Sequence, residues 1–252
     1  MGARRRASKS HATSALLLRR TPYRDADLVL SLFTEQLGQI SALARAARKS
    51  QRRFGGSLEP FHTLRVELEE TLSSELMTLQ TAQIATARTG LYEHLESMEA
   101  AGKFSGWIRH ASPAHTPEPS LWALAQSCMD QLDAVAGARR ALGPEAASAS
   151  ARLVLVTHGL QLLSACGWRL EFERCVQSGV RCPDGKSAML DSERGGLVFS
   201  AEGGAPFIVS GATRRRLIAA QAGQMDALEL PDGELGLELV ERCLRAHAGL
   251  ES

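Results

Sequence analysis

"FHTLRVELEE", residues 61–70, alternates as a half-buried strand must. Leu64, Val66 and Leu68 share one face, and Arg65, Glu67 and Glu69 share the other. Short segments of similar strand character precede and follow it: "ALLLR" (Ala15–Arg19), "DLVLSLFT" (Asp27–Thr34), "QISALARA" (Gln39–Ala46) and "ELMTLQTA" (Glu75–Ala82), with a turn from Thr34 to Gly38. Five short antiparallel strands within about 70 residues predict a small closed barrel over residues 15–82.

After Ala82 the period changes to three and four. "AQIATARTGLYEHLESMEAAG", "SLWALAQSCMDQLDAVAG" (Ser120–Gly137), "SARLVLVTHGLQLLSACG" (Ser150–Gly167), "GATRRRLIAAQAG" and "GELGLELVERCLRAHAG" all read as helices. In the second of these, Leu121, Leu124, Cys128, Leu132 and Val135 make one stripe. "SPAHTPEPS" (Ser112–Ser120) and "ARRALGPEAAS" read as connectors. The fold class is therefore α+β: a basic tail over residues 1–14, a barrel domain over 15–82, and a helical domain over 83–252 with a ribbon-like insertion at 175–204.

The apolar runs are short. Leu153–Val156 falls far below the ~20 residues needed to span a bilayer, and "MGARRRASKSHATS" lacks the apolar core of a secretory signal. These features predict a cytoplasmic protein with no membrane partner. The five cysteines, at 128, 166, 175, 182 and 243, do not make a secreted disulfide framework in a chain of this size.

Charge divides the chain. The total is +1, yet residues 1–56 carry +9 and the rest −8. "ARAARKSQRRFGG" (Ala44–Gly56) concentrates five cations, Arg45, Arg48, Lys49, Arg52 and Arg53, and no acid. It falls between the third and fourth predicted strands, as a loop on the barrel. Such asymmetry points to a polyanion that meets one end of the molecule; a solvated basic face is the plainer alternative.

Catalytic signatures are missing. No Gly-x-Ser-x-Gly, His-Glu-x-x-His or Gly-x-Gly-x-x-Gly occurs. His62 and His158 lie in apolar surroundings that suit structural histidines. "PDGKSA" lacks the glycine that a phosphate loop needs five positions before Gly185, where Val180 stands, and "LEFERCVQS" before it makes a poor buried strand. Cys175, Cys182, Cys166 and His158 match no usual zinc spacing.

The order of features from Thr21 to Glu70 resembles the N-terminal domain of the RecO family of DNA repair proteins. The matching residues are Tyr23 in a turn, Asp25 before the Leu28–Thr34 strand, Gly38, the basic Arg45–Arg53 loop, and Leu58–Phe61 leading into a strand. "LLSACGW" and Gly195–Val198 are similar to the family's C-terminal part. The likeness is strongest over 21–70 and weakest over 100–150. Two departures stand out. Ala47 occupies a position where the family often has glycine. A four-cysteine zinc site of many members falls here on Cys175, Ser178, Phe199 and Glu202, which implies a chain without the metal and without cofactors.

The resemblance implies an OB-fold followed by a helical domain, and a protein that is not an enzyme. It implies binding of single- and double-stranded DNA, annealing of complementary strands, and help in loading RecA onto strands coated by single-strand binding protein, in concert with RecR, in the nucleoid. Arg45, Arg48, Lys49, Arg52 and Arg53 are the candidate phosphate contacts, extended by Arg19, Arg20, Arg24 and Arg65. Tyr23 and Phe54 are the candidate stacking rings. Arg152, Arg169 or Arg214–Arg216 are candidates to receive the acidic tail of single-strand binding protein. The competing function is a protein-binding scaffold whose basic residues serve solubility.

Overall fold

Strand-like alternation in the first part of the chain closes on itself. The computed structural model describes residues 9–71, 74–199 and 207–249, without the side chains of Gln51, Arg52, Phe207 and Met225. Five strands, β1 (Ser10–Tyr23), β2 (Asp27–Thr34), β3 (Gly38–Ala44), β4 (Thr63–Glu69) and β5 (Met77–Thr86), form a closed barrel in the order β1-β2-β3-β5-β4. β1 serves two neighbours: its first half pairs with β4, from Ser10 opposite Glu69, and its second half with β2, ending at Tyr23 opposite Asp27. A ring of five strands cannot alternate direction all the way round. One pair must be parallel, and it is β3 with β5, at Ala42–Met77 and Leu43–Thr78. The inward residues, among them Leu17, Leu30, Leu32, Leu64, Val66 and Leu79, form one core. Burying each such side chain is worth about 1.5–3 kcal/mol.

Boundaries depart from the sequence-based expectation. β1 starts at Ser10 rather than Ala15, so Ser10–Ser14 belong to the barrel and not to a tail; residues 1–8 lie outside the described residues. β5 runs past Ala82 to Thr86, opposite the start of β4. The compact unit that contains the barrel extends to Arg88 and includes Ser112–Trp122. That proline-rich stretch is therefore no free connector. The His115 amide donates to the Gln39 carbonyl at 3.0 Å, and the Trp122 ring lies 6.0 Å from that of Phe33.

A second unit holds residues 89–111 and the chain after 122. Its helices are α2 (Leu95–Ala111), α3 (Pro119–Leu142, most of which lies in this unit), α4 (Pro144–Ala165), α5 (Gly211–Gln221) and α6 (Asp232–Ala248); a single turn, α1 (Gln51–Phe54), precedes them in the barrel unit. The predicted "ARRALGPEAAS" connector shrinks to Gly143, which turns at φ +82°. Pro144 then opens α4, where a missing N–H costs nothing. The α3 stripe is wider than expected: Ala125, Met129 and Ala136 are buried with Leu121, Cys128 and Leu132, while Leu124 and Val135 are half-buried. α4 is buried on nearly all sides from Leu155 to Leu163. Within it, His158 bonds the Val154 carbonyl at 2.8 Å and approaches the Ser127 hydroxyl at 3.3 Å, and burial lowers its pKa. No helix among the described residues is long and apolar enough to cross a membrane.

The same unit carries a four-stranded sheet of β6 (Glu171–Cys175), β7 (Ala188–Asp191), β8 (Gly196–Val198) and β9 (Phe207–Val209), in the order β6-β8-β7-β9. It starts before the predicted 175–204 insertion and ends after it. "EFERC" forms a short strand, but not a buried one: only Phe172 and Cys175 are buried, Glu173 and Arg174 face water, and its register against β8 shifts between Glu171 and Cys175.

Candidate nucleic-acid interface

The basic segment leaves β3 at Ala44 and is fastened at three points. The Ala46 amide donates to Asp27 Oδ1 at 2.7 Å, and the Arg48 amide to the Ala26 carbonyl at 3.1 Å. Phe54, 3 % exposed, enters the barrel core from α1. Burial of that ring anchors the segment with about 1.5–3 kcal/mol. It also removes Phe54 from the candidate stacking rings. The helical turn aims the ring inward, and nothing in the basic run signals that turn.

These anchors bring the segment to the β1–β2 turn. Arg48 Nη1 reaches the Asp25 carbonyl at 3.4 Å. Tyr23, 41 % exposed, ends β1 at the edge of that turn, with the Arg24 guanidinium 5.1 Å from its ring centre. Arg19, Arg24, Arg45, Arg48 and Lys49 are exposed. Tyr23 is the one candidate ring open to a base.

The cations are not equivalent. Arg53 lies over the Phe54 ring at 5.0 Å, bonds Ser50 Oγ at 3.3 Å and donates to the Arg45 carbonyl. Arg20 bonds the Leu58 carbonyl at 3.0 Å and Glu59 at 2.6 Å. Both arginines are structural ties as well as charges. Arg20 and Arg48 flank a cleft of about 180 Å³ floored by Leu28, Phe54 and Leu58. Arg65 stands apart: it faces out from β4 beside Glu67, opposite Ser14, and Arg19 lies five residue steps along β1 from Ser14, about 17 Å of strand. The Arg52 side chain lies outside the described residues.

At the far end of the barrel, a larger cleft of about 340 Å³ is lined by Glu70 and Glu75, with His11, His115, Leu37 and Met77. Carboxylates there oppose a polyanion, so the two ends of the barrel differ in sign.

Two arginines are buried, which their sequence context does not signal: Arg88, and Arg214, whose burial removes it from the candidates for an acidic tail. Arg88, 1 % exposed, donates to the Phe61 carbonyl at 2.7 Å and Thr63 Oγ1 at 3.0 Å, and its amide donates to His62 Nδ1 at 3.1 Å. It holds the entry to β4, where Phe61 takes a φ of +72°. Arg214 donates to the carbonyls of Phe172, Cys182 and Pro183. Arg216 forms a two-pronged pair with Asp232. Of the cations considered for an acidic tail, Arg152 lines a cleft of about 210 Å³ with Lys103 over Ala100, Leu155 and Leu237; Glu96 and Glu99 share it. Arg169 lines another with Leu170, Phe172 and Ile218.

Of the four positions where the resemblance places a metal site, Cys175 and Ser178 share one turn, closed by the Cys175 amide on the Val180 carbonyl at 2.9 Å and docked on β8 by the Val176 amide on the Leu197 carbonyl at 2.8 Å, and Phe199 directly follows β8. Hydrogen bonding from the Ser178 hydroxyl, with smaller help from the amides of Ser178, Gln177 and Phe199, outweighs burial and lowers the Cys175 thiol to about 7. Glu202 lies outside the described residues. Among the described residues, no three His, Cys, Asp or Glu side chains gather in a metal-ligating group.

The family model described as "Recombination protein O N terminal" matches residues 8–88, the barrel. A protein named "DNA repair protein RecO" from Anaeromyxobacter sp. (strain Fw109-5) is 30 % identical over 245 residues, covering 94 % of this chain and 90 % of its own. One of the same name from Myxococcus xanthus (strain DK1622) is 32 % identical over 184 residues, covering 73 % and 69 %. A third, from Geobacter sulfurreducens, is 32 % identical over 169 residues, covering 67 % and 63 %. A matching OB-like barrel, with relatives that span both units, places the chain in the RecO family of DNA repair proteins.

Proposed function

We propose that this chain is a non-catalytic recombination mediator. It binds single- and double-stranded DNA at the basic end of its barrel and anneals complementary strands. With RecR, it helps load RecA onto strands coated by single-strand binding protein. The observation that carries this is the meeting of the Arg45–Arg53 segment with Tyr23 and Arg24 at one barrel end, while the other end is lined by carboxylates. Exposed cations neutralise phosphates and release counterions, which makes binding steeply salt-dependent. With one open ring, charge outweighs stacking and the strand is held without being read. Cations that screen two strands at once lower their mutual repulsion, which is the physical content of annealing.

Annealing of complementary oligonucleotides coated with single-strand binding protein tests the proposal. The chain accelerates it at low salt and less so at moderate salt, and reversing the charges of Arg48, Lys49 and Arg52 abolishes the acceleration. A folded protein that accelerates nothing, or a reversal that leaves DNA affinity unchanged, assigns the barrel to protein binding instead.

A further inference from the structure

The larger cleft, at the carboxylate end of the barrel, repels DNA and is left without a role by the proposed function. Its interior is apolar: Leu37, Ile40 and Met77 line it, and the last two are buried. Glu70 and Glu75 stand exposed at its edge. Glu70 is paired with His11 at 2.7 Å, whereas Glu75 has no ion-pair partner among the described residues. No lysine or arginine is among the described residues that line the cleft. An apolar interior edged with carboxylates suits a ring or an alkyl stem that sits beside a cation.

The other end of the same barrel presents such a group. The half-exposed Tyr23 ring lies 5.1 Å from the Arg24 guanidinium, and Arg45, Arg48 and Lys49 are exposed on the segment that meets that turn. Within one copy the two ends cannot meet. β1 starts beside the cleft, at His11, and finishes at Tyr23, about 40 Å of hydrogen-bonded strand away.

We propose that the carboxylate end of one barrel receives the basic β1–β2 turn of a second copy, with Tyr23 against the apolar interior and the surrounding cations facing Glu70 and Glu75. The contact joins two different patches, so each copy keeps one free end of each kind and the assembly grows head to tail. Opposite charges draw the ends together. A net charge of +1 gives the copies little mutual repulsion to oppose them. One turn in a cleft of about 340 Å³ buries far less than the roughly 1,000 Å² of a stable interface, so the association is weak and salt-sensitive. It also covers the cations assigned to DNA, so a strand and a second copy compete for one end.

Sedimentation of the full chain tests this. At low ionic strength the weight-average mass rises with concentration. Salt returns it to the monomer, as the Debye length falls from about 30 Å at 0.01 M to about 3 Å at 1 M. Two variants separate the ends: Glu70→Gln with Glu75→Gln keeps the basic end, and Arg48→Ala with Lys49→Ala keeps the acidic end. Each alone associates roughly tenfold more weakly than the parent. An equal mixture forms dimers that grow no further, because the intact ends are then used up. If loss of the His11 pair unfolds the first variant, Glu75→Gln alone replaces it. A parent that stays monomeric at low salt overturns the proposal. So does either variant associating like the parent, or a mixture in which the two ignore each other. A single-stranded oligonucleotide disperses the parent assemblies. That arm alone rests on the DNA reading, and assemblies that persist with the oligonucleotide bound overturn the proposal, since one end cannot hold both.

Discussion

Asp27 governs the direction of the basic segment through Ala46: its Oδ1 accepts the Ala46 amide at 2.7 Å, at a residue held at φ +52°. A non-glycine residue there carries a strain of order 1 kcal/mol, which a hydrogen bond to a carboxylate, worth about 1.5–3 kcal/mol, offsets. The two effects of removing the acid have opposite signs. Deleting a negative charge beside a cationic patch strengthens DNA binding by electrostatics alone. Loosening the segment weakens it. Asp27→Ala is expected to bind a single-stranded oligonucleotide several-fold more weakly by fluorescence anisotropy, with about 1.5 kcal/mol lost in urea unfolding. Tighter binding would show that the tie does not position the cations.

Arg45 and Lys49 are exposed charges, whereas Arg53 holds Phe54 and the Arg45 carbonyl. Replacing Arg45 and Lys49 together by alanine leaves stability within about 0.5 kcal/mol. It flattens the slope of log affinity against log salt by about 1.4 on single strands, two phosphates' worth. Arg53→Ala flattens the slope less and costs stability. Equal behaviour of the two variants in unfolding and in salt titration would contradict this division.

The barrel was legible because each strand buries one face, so Leu64, Val66 and Leu68 announce themselves by alternation. The start of its first strand was not. Ser10–Ser14 is "SHATS", small and polar, and only pairing with β4 orders it. Clustered cations were equally plain in the sequence, but their division into contacts and ties was not. Arginine reads as surface, and Arg88 is 1 % exposed. The run Arg214–Arg216 holds one buried arginine, one exposed and one ion-paired. Carbonyl groups supplied by distant backbone decide these fates, and no local pattern encodes them.

Gly38 marks a turn by its φ of +67°, but space constrains it more. A Cβ there would lie 2.1 Å from the Thr116 carbonyl oxygen, which is backbone and cannot swing aside. Gly38→Ala is expected to cost more than 2 kcal/mol, the strained backbone adding to the overlap. Chemical denaturation measures it. A cost under 1 kcal/mol, the price of the φ alone, would mean that Ser112–Trp122 moves aside at little expense.

Arg216 and Asp232 join the start of α6 to α5 through bonds of 2.6 and 2.9 Å. Burial raises the Asp232 carboxyl, but those bonds and the Glu229 amide outweigh it and hold the pKa below the ordinary aspartate range. The folded state therefore binds the proton more weakly than the unfolded chain. Stability from this pair is fully present above the ordinary aspartate range and is lost as pH falls through the depressed value. Asp232→Asn leaves the guanidinium half-paired against a group that is 2 % exposed, with an expected loss of about 3 kcal/mol at neutral pH. The gap between parent and variant narrows in acid, below pH ~4. Urea unfolding across that range checks the sign: a gap that holds constant as the acid deepens would place the stabilisation in packing around Asp232 rather than in its charge.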